Sequence, residues 1–142
     1  MPVSAINITP HQRALVRRTF GMIAANHTEV ARLYYDRLFQ LAPQYRALFG
    51  TDRTQIQRKF MRMLAFAIAA LDDPDALKSA MHALGKRHAG YGVQVDQYEI
   101  FGQAFLWAVD KALGTHSTPP VREAWQATYT MIATFTLDGH RG

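Results

Sequence analysis

The residue of this chain best placed to do chemistry is His88. Along the stretch from Leu77 to Val93, Leu77, Met81, Leu84 and His88 fall at i, i+4, i+7 and i+11. On a helix these positions share one stripe, so an imidazole ends an apolar face that should point into a core. Gly90 and Gly92, residues suited to stopping a helix, follow it. A neutral imidazole buried there needs partners for both ring nitrogens. A metal is one strong partner. A backbone carbonyl serves a core histidine equally well, and the stripe alone does not choose between them.

Few other residues compete. Ser4, Ser79 and Ser117 are the only serines, and none lies in a G-x-S-x-G turn. The chain has no H-E-x-x-H and no phosphate-binding Walker loop, and Gly90 and Gly92 lack the third glycine of a dinucleotide fingerprint. The absence of cysteine excludes a thiolate metal site, an iron–sulfur cluster, a disulfide framework and a cysteine nucleophile. Asp72 and Asp73 are adjacent carboxylates, but at a predicted helix start capping accounts for them better than acid–base work. Any reaction would have to be carried by a bound cofactor.

The elements that must position His88 read as helix after helix. Thr9, Pro10 and Gln12 form a helix start with a capping box, and Leu15, Phe20 and Ile23 follow as its inner face. A second helix is predicted from about Thr28 to Leu41, with Val30, Leu33, Tyr34 and Leu38 inward. Pro43 ends it and opens a turn from Gln44 to Phe49. Ile56, Phe60, Met63, Leu64, Ala67, Ile68 and Leu71 mark a long helix with one broad apolar face. Asp73-Pro74 starts the helix of His88. Asp96 with Glu99 reads as another capping pair, before a helix that packs Phe101, Phe105, Leu106, Val109 and Leu113 and stops at Gly114. The last helix starts at Thr118-Pro119-Pro120 and carries Ala124, Trp125, Thr128, Ile132 and Phe135. No sustained period of two appears, so the expected architecture is all-α, a single domain over residues 1–142 with six or seven helices.

Charge and hydropathy narrow the partners. Sixteen Lys and Arg stand against 11 Asp and Glu, for a net charge of +5. The cations are scattered in short groups (Arg13, Arg17 and Arg18; Arg58, Lys59 and Arg62; Lys86 and Arg87), which reads as solvated helix faces and not as a nucleic-acid stripe. The longest apolar run, Met63 to Leu71, is too short to span a bilayer. The N-terminal residues show no basic segment followed by an apolar one, so no secretory signal and no membrane association are expected, and a cytoplasmic location is.

Several motifs, in order, carry a resemblance: L-Y-Y-D-R-L-F at residues 33–39, A-L-F-G at 47–50, R-K-F-M at 58–61, L-G-K-R-H ending at His88, Q-Y-x-I-x-G at 97–102 and A-W-x-x-x-Y at 124–129. Together they resemble the globin family, and more closely the bacterial single-domain haemoglobins and the globin part of flavohaemoglobins, over essentially the whole chain. The resemblance implies a globin fold of six to eight helices around a haem pocket, with haem b (iron protoporphyrin IX) as cofactor.

It also implies roles. His88 would be the proximal iron ligand through its far ring nitrogen. Phe49 would stack on the porphyrin, with Ile56, Phe60, Leu84 and Val93 as further pocket residues. Tyr35 aligns with a tyrosine over the distal face, where its hydroxyl can donate to oxygen at ferrous haem. Its neighbour Tyr34 reads as an interfacial tyrosine with its hydroxyl in water. Tyr98 and Tyr129 fall on the proximal side, and Arg87, with Arg58 or Lys59, at the propionate rim. Ile56 stands where close relatives often carry a glutamine, flanked here by Gln55 and Gln57, so a one-residue shift of register would restore the polar group. His140 lies near the position of a flavohaemoglobin glutamate. Asp138 is the nearest carboxylate, at an end expected to fray, so a strong proximal push is not implied. Between His27 and His82 there is no histidine, which predicts five-coordinate ferrous iron.

Three function classes follow from the resemblance. The first is reversible binding of oxygen, or of CO or NO, for storage, delivery or scavenging. The alternative is a nitric oxide dioxygenase served by a separate reductase. A sensor is the third, with no attached signalling segment to support it. Binding is the reading the sequence favours.

Overall fold

The computed structural model describes residues 8–49, 53–90 and 96–141, leaving out the side chains of Leu48, Phe49, Arg53, Thr54 and Ile56. Among these residues the regular structure is entirely helical: α1 Pro10–Ala25, α2 His27–Leu41, α3 Arg46–Phe49, α4 Arg53–Ala69, α5 Pro74–Gly90, α6 Gln97–Leu113 and α7 Pro119–Arg141. Short 3-10 turns lie at Pro43–Tyr45, Ala70–Asp72 and Gly114–His116.

Local chemistry explains most boundaries. Thr9 holds an extended backbone and its hydroxyl accepts from the Gln12 amide at 3.1 Å, while the Gln12 side chain accepts from the Thr9 amide at 3.0 Å. Asp73 Oδ1 accepts from the Ala76 amide at 3.2 Å and opens α5. Gly114 ends α6 with φ +56, a conformation that favours glycine. Two capping expectations fail. Asp96 has helical backbone angles and makes no side-chain cap bond. Asp72 does not cap either: its carboxylate takes Arg13 and Arg17, both at 2.9 Å, and ties α1 to the turn after α4. Two of the cations read as solvated are therefore paired.

α7 is the spine of the core. It packs against α1 and α5, and α2 packs against α6. Trp125 is buried on α7, and its indole N–H donates to the Thr19 hydroxyl of α1 at 2.9 Å. That hydroxyl in turn donates to the Leu15 carbonyl at 2.7 Å, so neither polar atom is left unpaired in the core.

α5 and α7 meet backbone to backbone. A Cβ at Gly85 would lie 1.9 Å from the Thr136 carbonyl oxygen, and one at Gly139 would lie 2.2 Å from that of His82. Pairing of 85 with 136 and of 82 with 139 makes the crossing antiparallel. Helices this close need glycine at the contact, because any side chain would hold them apart. The contact also corrects the expected frayed end: α7 stays helical to Arg141 because its last turns lie against α5.

Candidate functional site

His88 sits in the last turn of α5, half-buried. Its Nδ1 lies 3.2 Å from the hydroxyl of Tyr98, in the first turn of α6. The same hydroxyl lies 3.3 Å from Nδ1 of His140 on α7. Three helices thus meet on one tyrosine oxygen.

The Tyr98 backbone is held too. The Tyr129 hydroxyl donates to the Tyr98 carbonyl at 2.6 Å. To reach it, the Tyr129 ring crosses α6 at Gly102, where a Cβ would come within 2.4 Å of the ring.

Burial lowers the His88 pKa to about 4, and the positive charge of Arg87 and then of His140 acts in the same direction. A helix C-terminus favours a charged imidazole, but here desolvation prevails. His88 is therefore neutral near pH 7. Its Nδ1 is engaged by Tyr98, and its Nε2 has no hydrogen-bond partner among the described residues. A neutral ring oriented through one nitrogen with the other open is the donor chemistry that a haem iron requires. Burial also raises Tyr98 to about 12 and moves Tyr129 upward, so both hydroxyls keep their protons.

An aromatic path leads from this cluster to the predicted distal residues. Tyr129 packs on Phe105 with centroids 5.8 Å apart, Phe105 meets Phe60 edge-on at 6.0 Å, and Phe60 meets Tyr35 edge-on at 6.5 Å. Tyr35 is buried, and burial raises its pKa well above the ordinary phenol value. Tyr34 points inward as its place on the stripe predicts, but the reading of an interfacial hydroxyl in water fails. It is also buried, stacked on Phe60 at 4.8 Å with ring planes 8° apart, and its pKa is raised by burial and then by the hydroxyls of Tyr35 and Tyr129. Adjacent helical residues point about 100° apart, and both can be buried when a helix has two neighbours. α2 lies against both α4 and α6.

The structure thus brings together His88, Tyr98 and Tyr129 on one side and Tyr35 and Phe60 on the other. Leu84 is half-buried against the core. Arg87, Arg58 and Lys59 are exposed, and Gln55 is exposed while Gln57 is half-buried. The assignment of Val93 and those of the Phe49 and Ile56 side chains lie outside the described residues. Sequence reasoning had Phe105 only as a packing residue and His140 only as a departure at a helix end. Gly102, inside Q-Y-x-I-x-G, was the available signal that a ring passes there.

The model of the globin family matches residues 32–135. A flavohemoprotein from Xylella fastidiosa strain 9a5c is 33% identical over 136 residues, covering 93% of this chain and 34% of that protein. One from Bordetella pertussis is 28% identical over 138 residues. The chain thus spans about a third of the length of the curated relatives it matches. Among solved structures, an engineered carbene transferase made from a candidate nitric oxide dioxygenase of Rhodothermus marinus superposes with a TM-score of 0.84 at 24% identity, over 95% of this chain and 94% of that one. A hexacoordinated haem protein from a tardigrade gives 0.88 at 14%, over 96% and 97%. Motif order, helical architecture and the family match agree: this chain belongs to the globin family.

Proposed function

We propose that the chain acts as one globin domain over residues 1–142, binding haem b through His88 for reversible uptake of oxygen or another diatomic gas. The observation that carries this is the neutral His88 imidazole, held at Nδ1 by Tyr98 and without a partner at Nε2 among the described residues, in a globin frame. Haem, when bound, supplies an iron that takes up a diatomic ligand. With no cysteine to form thioether bonds, the group would be held non-covalently, as the b type is.

The chain's own residues have separable tasks. His88 binds, and Tyr98 orients it. Phe49, Ile56, Phe60, Leu84 and Val93 would exclude water from the porphyrin, with Arg87, and Arg58 or Lys59, reaching the propionates from exposed positions. Tyr35 would offer its buried, protonated hydroxyl to the diatomic ligand. Storage, delivery or scavenging in the cytoplasm is the proposed use. Among the described residues no helix is long and apolar enough to cross a membrane. No role with nucleic acid is proposed.

The test is the absorption spectrum of the purified protein, ferric, reduced and under carbon monoxide, beside that of His88→Ala. The reading expects a five-coordinate ferrous spectrum in the parent and loss of haem, or dependence on added imidazole, in the variant. Unchanged haem retention and spectrum in His88→Ala would refute it.

A second reading, nitric oxide dioxygenation with electrons from a separate reductase, is favoured by the likeness to flavohemoproteins. Sustained nitrate production once a flavin reductase is supplied would support it, whereas a single turnover under those conditions would leave binding as the function.

A further inference from the structure

We propose that the wedge between α6 and α7 is a second binding site, for a small uncharged aromatic molecule that carries one hydroxyl group, a phenol. It shares no residue with the proposed haem pocket and does not depend on His88 as an iron ligand.

The wedge follows from the way the two helices are joined. α6 ends at Leu113, the turn Gly114–His116 follows, and α7 begins at Pro119. Leu106, Val109 and Asp110 fall at i, i+3 and i+4 on α6, and Arg122 and Trp125 at i and i+3 on α7, so one face of each helix looks across the gap. With Ser117 they line a cavity of about 150 Å³. Trp125 has the bulk to fill it but is held elsewhere. Its indole N–H donates to Thr19 on α1 at 2.9 Å, and its ring meets Phe105 edge-on at 5.8 Å.

The lining sets the chemistry of the ligand. Val109 and Trp125 are buried and Leu106 is half-buried, so the inner wall is apolar. An apolar cavity of about this volume accepts a benzene ring, and a flat ring gains further from packing on an indole.

The polar groups form a clasp. The Ser117 hydroxyl donates to Asp110 Oδ1 at 2.5 Å. Arg122 Nη1 donates to the Ser117 carbonyl at 2.5 Å and lies 3.8 Å from Asp110 Oδ1. The Asp110 and Arg122 side chains both reach solvent, which puts them at the mouth. Among the described residues they are the charged groups that line the cavity, and their charges cancel, so neither an anion nor a cation is favoured. A hydroxyl suits such a mouth, because it donates to a carboxylate and accepts from a guanidinium while staying neutral. Ser117 already fixes both side chains, so binding does not have to order them.

The experiment uses the full chain, reduced and under carbon monoxide so that any haem it holds is diamagnetic. Proton–nitrogen correlation NMR follows the Trp125 indole N–H, with Trp107→Phe to identify the other indole signal. Phenol should shift the Trp125 signal saturably, with a midpoint of about 1 mM, an affinity open to a ligand of so few atoms. Benzoate and benzylammonium, which must bring a charge to the apolar wedge, should bind about tenfold more weakly or worse. Leu106→Phe places a ring in the wedge from a half-buried position and should abolish the shift. Two changes at the exposed mouth decide if that variant does not fold. Asp110→Asn leaves the mouth positive and should rank benzoate above benzylammonium, and Arg122→Met leaves it negative and should reverse the order. A Trp125 signal unmoved by phenol, the same shift in Leu106→Phe as in the parent, or one order of the charged probes in both mouth variants would overturn the site.

Discussion

Replacing Gly102 by alanine should destabilise the protein, against the ordinary preference of helices for alanine. A Cβ there would stand 2.4 Å from Cε2, 2.8 Å from Cζ and 3.1 Å from Cδ2 of Tyr129, where carbon atoms ordinarily approach to about 3.5–4.0 Å. The ring would have to retreat by about 1 Å. It cannot do so freely, because Phe105 packs on it and its hydroxyl is fixed on the Tyr98 carbonyl. Overpacking of this kind costs about 1–3 kcal/mol, and loss of the hydroxyl bond costs about 0.5–1.5 kcal/mol more. The gain in helix propensity returns about 1 kcal/mol. The net expectation is a loss of about 0.5–3.5 kcal/mol by these same magnitudes, read as a lower urea midpoint by far-ultraviolet circular dichroism. The diagnostic is a double-mutant cycle with Tyr129→Leu, which lacks the two ring atoms that come nearest. In that background Gly102→Ala should become neutral or stabilising by up to about 1 kcal/mol. Equal costs in both backgrounds, or a stabilised single variant, would refute the reasoning.

Two further outcomes follow from the same site. Tyr35→Phe removes a buried, protonated hydroxyl; a hydrogen bond to a charged acceptor contributes about 1.5–3 kcal/mol, so oxygen should leave roughly 10–150 times faster while carbon monoxide release changes far less, and an oxygen off-rate within about twofold of the parent by flash photolysis would contradict the distal role. Acid should weaken the haem-free fold through His88, whose pKa falls from 6.5 unfolded to about 4 folded. As pH drops below 6.5 the unfolded chain takes up the proton first, so the stability held by the neutral ring is lost progressively down to about 4, in total about 3 kcal/mol at most. His88→Leu should flatten the urea midpoint over that window, and parallel curves for parent and variant would show that His88 is not the group.

Much of this was legible in the sequence. The Thr9 box, the start at Asp73, the stop at Gly114 and the stripe ending in His88 depend on local rules, and the structure bears out the first three as written. What escaped depends on contacts between distant segments. His140 looked frayed because nothing near it in sequence holds a helix end, whereas the hold comes from Gly85, far away along the chain. Tyr35 lies off the stripe of Val30, Tyr34 and Leu38, and one stripe cannot show that α2 is covered by two helices at once, which buries both tyrosines. Asp72 looked like a cap because its carboxylate is at a helix start, and only the folded chain brings Arg13 and Arg17 to it.

The glycine crossing between α5 and α7 also sets a clock. His88 and His140, on the two helices that this crossing joins, are about 50 positions apart. At a synthesis rate of about 5–20 residues per second, roughly 3–10 s pass between the appearance of His88 and that of His140. Throughout that interval the nascent chain carries His88 on a helix whose glycine face is bare. The proposed haem ligand would thus wait on a helix still missing its neighbour, because α7 seats against α5 only once its last turns have been made.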